Sequence, residues 1–510
     1  MKNNIKLKLG AVLSYIIVIA NMLVGIIYTP ILTQMLGQAE YGLYSLIISI
    51  INYFTVLDFG FGNAIIIYTA RYKAQNNKDK EQRLHGSFFI IYIIIGLITT
   101  VLGLLLAANV NNFFENTMSD NELKKARIMM LIMTFNVAIT FPFSVYSSII
   151  TAYEEYVFSK ILNLVRIILL PIVMVPALYL GIKSVGLIII TTILNIIVLI
   201  SNYIFCKYKL NIRFKFALLE KKVMKEIIFY SFFIFLNAII EKVNHELDKF
   251  ILGAVSGTIA VSIYAVSNQI QSIFTAMSTA ISGVLLPKLT QINENGAIDK
   301  TKEFSRLFIK IGRIQFIVIS LILSGFIIFG KEFIVKIWVG ENYSRAYYVA
   351  VILMVPALVP LIQNTGLSIL QVLNKYKYRT IIFFFIALLN IFISIPLAKK
   401  YDAIGAACGT SISVCLGQII ILNIYYWKGI KLDIVKFWKE IISMSVPVLI
   451  TIIIGCFIKI LFPINSIASF IIQVIFYTFI FMILMWLIGL NKDEKLMLLS
   501  LKQKVINKIK

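Results

Sequence analysis

The sequence predicts an all-α polytopic membrane protein, and three observations carry that expectation. Of its 510 residues, 60% are hydrophobic, where a soluble domain is nearer half. The apolar residues come in repeated blocks of about 20, the helical length that crosses a bilayer. Only helices satisfy their backbone polar groups inside such continuous runs, and the short alternating segments of a membrane barrel are absent.

Fourteen spans are expected, near 11–34, 42–69, 87–108, 128–151, 160–180, 184–206, 226–252, 258–285, 308–330, 346–370, 380–398, 403–426, 440–461 and 466–489. The net charge of +24 would suit a nucleic-acid binder, but its distribution does not. Counted alternately, one set of connections holds 35 of the 48 Lys and Arg residues and the other holds 10. The remaining three, Arg166, Lys242 and Lys249, fall inside spans. Such asymmetry places the richer side, with both termini, in the cytoplasm. Topology and anionic-lipid attraction account for the basic loops, and nucleic acid is not an expected partner. The first span is too long in its apolar part for a cleavable signal, and no small-x-small site follows it. The four cysteines (Cys206, Cys408, Cys415, Cys456) form no CxxC and read as small core residues.

Internal similarity divides the chain. The segment 41-YGLYSL-46 matches 261-VSIYAV-266, and 147-SSIITAYEEYVFSKI-161 matches 367-LSILQVLNKYKYRTI-381, both at an offset of 220 residues. Gly186 matches Gly405, and Asn21 matches Asn237, each lying sixteen residues before a glycine (Gly37, Gly253). Two six-helix bundles in parallel repeat are expected, with two helices added. The domains are then 1–206, a basic cytoplasmic linker 207–225, 226–427, and 428–510 with the two extra helices and a basic tail.

Charges inside spans mark the candidate site, because each costs about 2.5–3.5 kcal/mol on insertion scales unless it meets water or a partner. The densest run is 241-EKVNHELDKFILG-253 in the seventh span. On a helix, Glu241, His245 and Asp248 share one face and Lys242, Glu246 and Lys249 the next. Lys242 can pair with Glu246 and His245 with Asp248. For Glu246 and Lys249, local neutralisation near the outer interface is an equal alternative. Glu241 and Lys242 are expected to line a polar path between the bundles, with Asn237 one turn earlier. Asp58 lies inside the second span, where it either lines the cavity or caps a helix break marked by Gly60. Arg166 in the fifth span either meets an anion through its planar fork or snorkels to the inner interface.

There is no GxxxxGK[ST], and the only histidines are His85, expected in a loop, and His245. The longest outer connection, 109–127, is short and nearly neutral, so an integral-membrane polymerase or ligase ranks below a carrier.

The segments 57-LDFGFGNAIIIYTARY-72, 29-TPILTQMLGQAEYGLYSL-46 and 248-DKFILGAVSGTIAVSIYAVSNQI-270 resemble corresponding regions of bacterial polysaccharide-export flippases. These belong to the oligosaccharide/polysaccharide flippase group of the multidrug/oligosaccharidyl-lipid/polysaccharide (MOP) exporter superfamily. The resemblance implies a fold like that of multidrug and toxin extrusion (MATE) carriers. It implies a polyprenyl-diphosphate-linked oligosaccharide as substrate, membrane lipids and polysaccharide polymerase machinery as partners, and a cytoplasmic-membrane location. On this reading Arg166, Lys242, Lys249 and Asn237 meet the diphosphate and glycan. Asp58, Glu241, His245 and Asp248 are the candidates for proton or sodium coupling, and no cofactor is implied. Lys249 stands where the family more usually has Arg. A multidrug or cation exporter and a lipid II flippase remain open on the same fold.

Overall fold

The protein, seen as a computed structural model, is described over residues 2–217, 221–282, 286–294, 300–496 and 499. It is helical, with no strand among the described residues. The first helices are α1 (Lys2–Leu36), α2 (Gln38–Phe54), α3 (Phe61–Ala74), α4 (Lys78–Ala108), α5 (Val110–Phe114) and α6 (Asp120–Ala152). They are followed by α7 (Tyr156–Tyr179), α8 (Ser184–Ile204), α9 (Lys221–Val255), α10 (Gly257–Ser282), α11 (Leu286–Glu294) and α12 (Lys300–Glu332). The last are α13 (Ser344–Ile362), α14 (Asn364–Val372), α15 (Tyr376–Val414), α16 (Leu422–Lys428), α17 (Ile434–Leu461) and α18 (Ile467–Leu484).

Among the described residues, 12 helical stretches are long and apolar enough to cross a membrane. One of them, Tyr376–Lys428, runs 53 residues and leaves helical geometry at Tyr401 and Asp402, so it supplies two spans. The eighth expected span corresponds to α10, with 26 residues. Counted so, each of the fourteen expected spans has its helix. The end of the eighth span and most of the basic tail lie outside the described residues. Side chains such as Leu180 (81% exposed) and Ile460 (76%) face outward, which suits a lipid solvent.

Two compact units result. One holds Met1–Val266 with Ala387–Gly409, the other Ser267–Ile386 with Thr410–Lys510. Ile65, Leu84, Phe88, Val145 and Ile149 are central to the core of the first. Phe308, Ile369, Tyr426, Phe437 and Met444 are central to that of the second. In the first unit α2 and α10 touch backbone to backbone. A Cβ on Gly42 would stand 1.8 Å from the Thr258 carbonyl oxygen, so only glycine fits there.

The 220-residue repeat is visible in the backbone. α6 ends at Ala152 and α7 starts at Tyr156; α14 ends at Val372 and α15 starts at Tyr376. Glu154 and Asn374 both take positive φ, 62° and 54°. Glu155 N donates to Ile150 O at 3.1 Å, as Lys375 N does to Leu370 O at 2.8 Å. Asn211 and Lys431 form a second such pair, with φ of 51° and 56°. Gly37 (φ 77°) is matched in geometry by Gly257 (φ 84°), again 220 apart. The match of Gly37 to Gly253 is therefore corrected, because Gly253 lies inside α9. At this offset Asn21 aligns with Glu241 and not with Asn237.

The stretch after α8 forms a strap along the start of α4. Lys215 N donates to Gln82 O at 3.1 Å, Ser87 Oγ donates to Ala217 O at 2.7 Å, and Lys215 Nζ meets Asp79 at 2.6 Å. Phe214 stacks on Tyr146 with ring centres 5.3 Å apart. His85 is not in a loop. Asn77 caps α4 by accepting from Lys80 N, so the helix begins well before the apolar run. His85 is buried within it, 2.9 Å from Thr69 Oγ1.

Candidate functional site

The site grows from a break in the second span. α2 tightens into a 3-10 turn over Thr55–Asp58, then Phe59 and Gly60 turn left-handed (φ 53° and 73°) before α3 restarts. The Asp58 carboxylate holds this break. Tyr92 Oη donates to it at 2.5 Å, and the backbone N–H groups of Gly60 and Gly62 donate as well. These bonds place the Asp58 carboxylate as a cap on the break, one of its two sequence readings.

α9 packs onto the break. A Cβ on Gly60 would lie 2.6 Å from Ile234 Cγ2, and the Phe235 ring sits 4.4 Å from that of Phe59. Asn237, three residues further on, is half-buried on the same helix. The charged run follows. Glu246 accepts from Asn52 Nδ2 at 3.0 Å and from Lys249 Nζ at 3.1 Å. Buried Asp248 accepts from Tyr264 Oη. The expected Lys242–Glu246 pair is therefore replaced: α2 delivers Asn52 to Glu246, and Lys249 reaches it at i+3.

Among the described residues no hydrogen bond or ion pair engages Lys242, which is half-buried between exposed Glu241 and the Glu246–Lys249 pair. His245 is exposed. Arg166 stands on α7, which packs on α1, α8 and α6, while α9 packs on α2, α3 and α5. No hydrogen bond or ion pair joins Arg166 to a described residue. The structure thus assembles Asn52, Asp58, Tyr92, Tyr264 and the α9 charges around one helix pair, and leaves Arg166 apart.

Sequence reasoning missed Asn52, Tyr92 and Tyr264. Asn52 had a signal, a lone amide in the apolar run 47-IISIINYFTV-56. Tyr264 stood in the repeat match, but nothing local tied it to Asp248. The resulting patch interleaves two lysines with three carboxylates along one membrane-length helix. It can meet an anionic head group and offers acidic groups to a cation.

Comparison with known proteins agrees with this architecture. Lipid II flippase MurJ in its inward closed conformation superposes with a TM-score of 0.74 over 93% of this chain and 97% of that one, at 16% identity. An inward-facing multidrug resistance MATE family transporter of the MOP superfamily gives 0.60 over 81% and 99%, at 13% identity. At these identities the likeness is one of fold. A curated relative from Shigella flexneri, described as "Putative O-antigen transporter", is 24% identical over 210 residues, 40% of this chain. The chain spans about half the length of that relative, 47%. Residues 7–293, which include the break at Gly60 and the whole of α9, match a single family across more than half of the chain. The chain belongs to the polysaccharide biosynthesis protein family.

Proposed function

We propose that this chain is a flippase that moves a polyprenyl-diphosphate-linked oligosaccharide across the cytoplasmic membrane for surface polysaccharide synthesis. The observation that carries the reading is the mixed-charge run 241–249 on a membrane-length helix of a polysaccharide biosynthesis family chain. Among the described residues, Lys242 is the cation of that run that no carboxylate holds, so it is the side chain assigned to the diphosphate. Lys249 and Asn237 flank it and face the phosphate and the first sugars. Arg166 meets the anion at a separate stage of passage, because it lies off the α9 cluster. The polyprenyl tail stays in lipid while the polar head crosses by alternating access.

The sequence holds no phosphate-binding loop for ATP, so net movement draws on an ion gradient or on consumption of the product outside. Glu241, His245 and Asp248 are the groups for proton or sodium coupling. Asp58 contributes by holding the break that α9 rests on. Both termini are assigned to the cytoplasm, and the chain is assigned no cofactor and no covalent catalysis.

The test is deletion of the gene followed by analysis of membrane lipids and surface glycan. Accumulation of sugar-loaded polyprenyl diphosphate with loss of surface glycan is the expected outcome. Unchanged lipids and glycan, with raised sensitivity to cationic compounds, would replace this reading with a drug exporter on the same fold.

A further inference from the structure

We propose that the second unit carries a binding site for a phosphate-ester group, at the end its lysines and arginines assign to the cytoplasm. The site is a cleft of about 670 Å³ between the start of α12 and the turn that leads into α17. It is distinct from the α9 patch and does not rest on the flippase reading.

One wall is a stripe on α12. Lys302, Arg306 and Lys310 follow at four-residue spacing, which stacks them on one helix face. The other wall is Lys431, on the left-handed turn (φ 56°), and Lys436 in the first turn of α17. Asp433 fixes that wall by capping α17 through Lys436 N at 3.0 Å and by donating its own N–H to Ser305 Oγ at 3.1 Å. The base is Arg313, only 4% exposed. Its fork meets both oxygens of Glu494 at 2.7 Å, Glu440 at 2.5 Å and the Gly489 carbonyl at 2.9 Å. Arg313 is therefore committed to tying α12, α17 and the segment after α18 together. The lining has six cations and four carboxylates. Arg313 occupies two of those carboxylates and Asp433 is the cap, so the walls keep an excess of positive charge.

The repeat shows that the fold does not need this charge. At the 220-residue offset, Lys302, Arg306 and Lys310 correspond to Gln82, Gly86 and Ile90 in α4. There the equivalent stretch is closed over by the strap, with Lys215 N on Gln82 O. In the second unit the matching turn leaves a cleft, and its walls carry lysine and arginine. A charged stripe present in one half only, facing a cavity at a membrane interface, fits phosphate. The phosphate ester comes either from an anionic lipid head group or from a soluble metabolite.

The experiment heats the purified full chain in neutral detergent. The probes are dioctanoyl phosphatidic acid, glycerol 3-phosphate and, as control, dioctanoyl phosphatidylcholine. A saturable rise in Tm with phosphatidic acid and none with phosphatidylcholine is expected. The variant R306Q/K310Q should lose more than about half of that rise, while K221Q/K222Q, with the same charge loss elsewhere, keeps it. A matching rise with glycerol 3-phosphate assigns the site to soluble phosphate esters; a rise with phosphatidic acid alone assigns it to lipid. No rise with either anion, or an equal rise in R306Q/K310Q, overturns the proposal. Should that variant not fold, K436Q is read by the same criterion.

Discussion

Glu246 is a carboxylate in a membrane span whose two oxygens are both occupied. Asn52 donates to one and Lys249 to the other. The Lys249 and Glu246 side chains are 16% and 13% exposed, between a surface pair worth under about 1 kcal/mol and a buried one whose breakage costs about 3–5 kcal/mol. Glu246→Ala should therefore destabilise the protein by about 1–3 kcal/mol, read as a lower Tm in detergent. Lys242 presents the opposite case. It has no partner among the described residues, so Lys242→Ala should leave Tm near wild type while surface glycan falls to the level of the deletion strain. Normal glycan at equal membrane abundance would remove Lys242 from the transport path. The sequence placed both side chains in the right helix, because charge within an apolar run is a local signal. It could not assign their partners. Asn52 lies 194 residues from Glu246, and helical spacing alone favoured Lys242.

The break between α2 and α3 is an element whose shape depends on one missing atom. Gly60 has φ of 73° and Ile234 of α9 lies where its Cβ would be. Valine there meets a left-handed cost of about 1–2 kcal/mol and an overpacking cost of about 1–3 kcal/mol. Gly60→Val should thus lower stability by about 2–5 kcal/mol. Gly60→Ala with Ile234→Ala should recover part of the loss of Gly60→Ala alone, and strict additivity in that cycle would show that the two residues do not touch. The pair of glycines in 57-LDFGFG-62 made a break legible in the sequence, and the carboxylate before them suggested its cap. Tyr92, the other half of that cap, was not legible, since it lies 34 residues from Asp58 and nothing local ties the tyrosine of α4 to that carboxylate. The start of α4 was misread for a related reason. A polar run beyond the bilayer looks like a loop to hydropathy, yet Asn77 caps it as helix.

At the scale of the whole molecule, the membrane-length helices follow from composition and length, and their apolar parts were legible in the sequence. Which helices share a unit was not, because that depends on contacts between residues far apart in the chain. Topology is checked by single cysteines on a background lacking the four native ones. Gln75→Cys should react with a membrane-impermeant maleimide only after the cells are opened, and Lys124→Cys in intact cells. The reverse pattern would invert the 35-to-10 assignment of sides. The strap after α8 also bears on the order of assembly. Its anchors on α4 close a loop of more than 130 residues, from Asp79 to Lys215. A chain emerging from the ribosome therefore completes that latch only once α8 has been made. The latch lies ahead of α9, so the first six spans have a means of locking together before the segment with the embedded charges must enter the bilayer. That helix would then be inserted beside a finished surface already presenting Asn52, and its carboxylates would not have to wait in lipid for a partner.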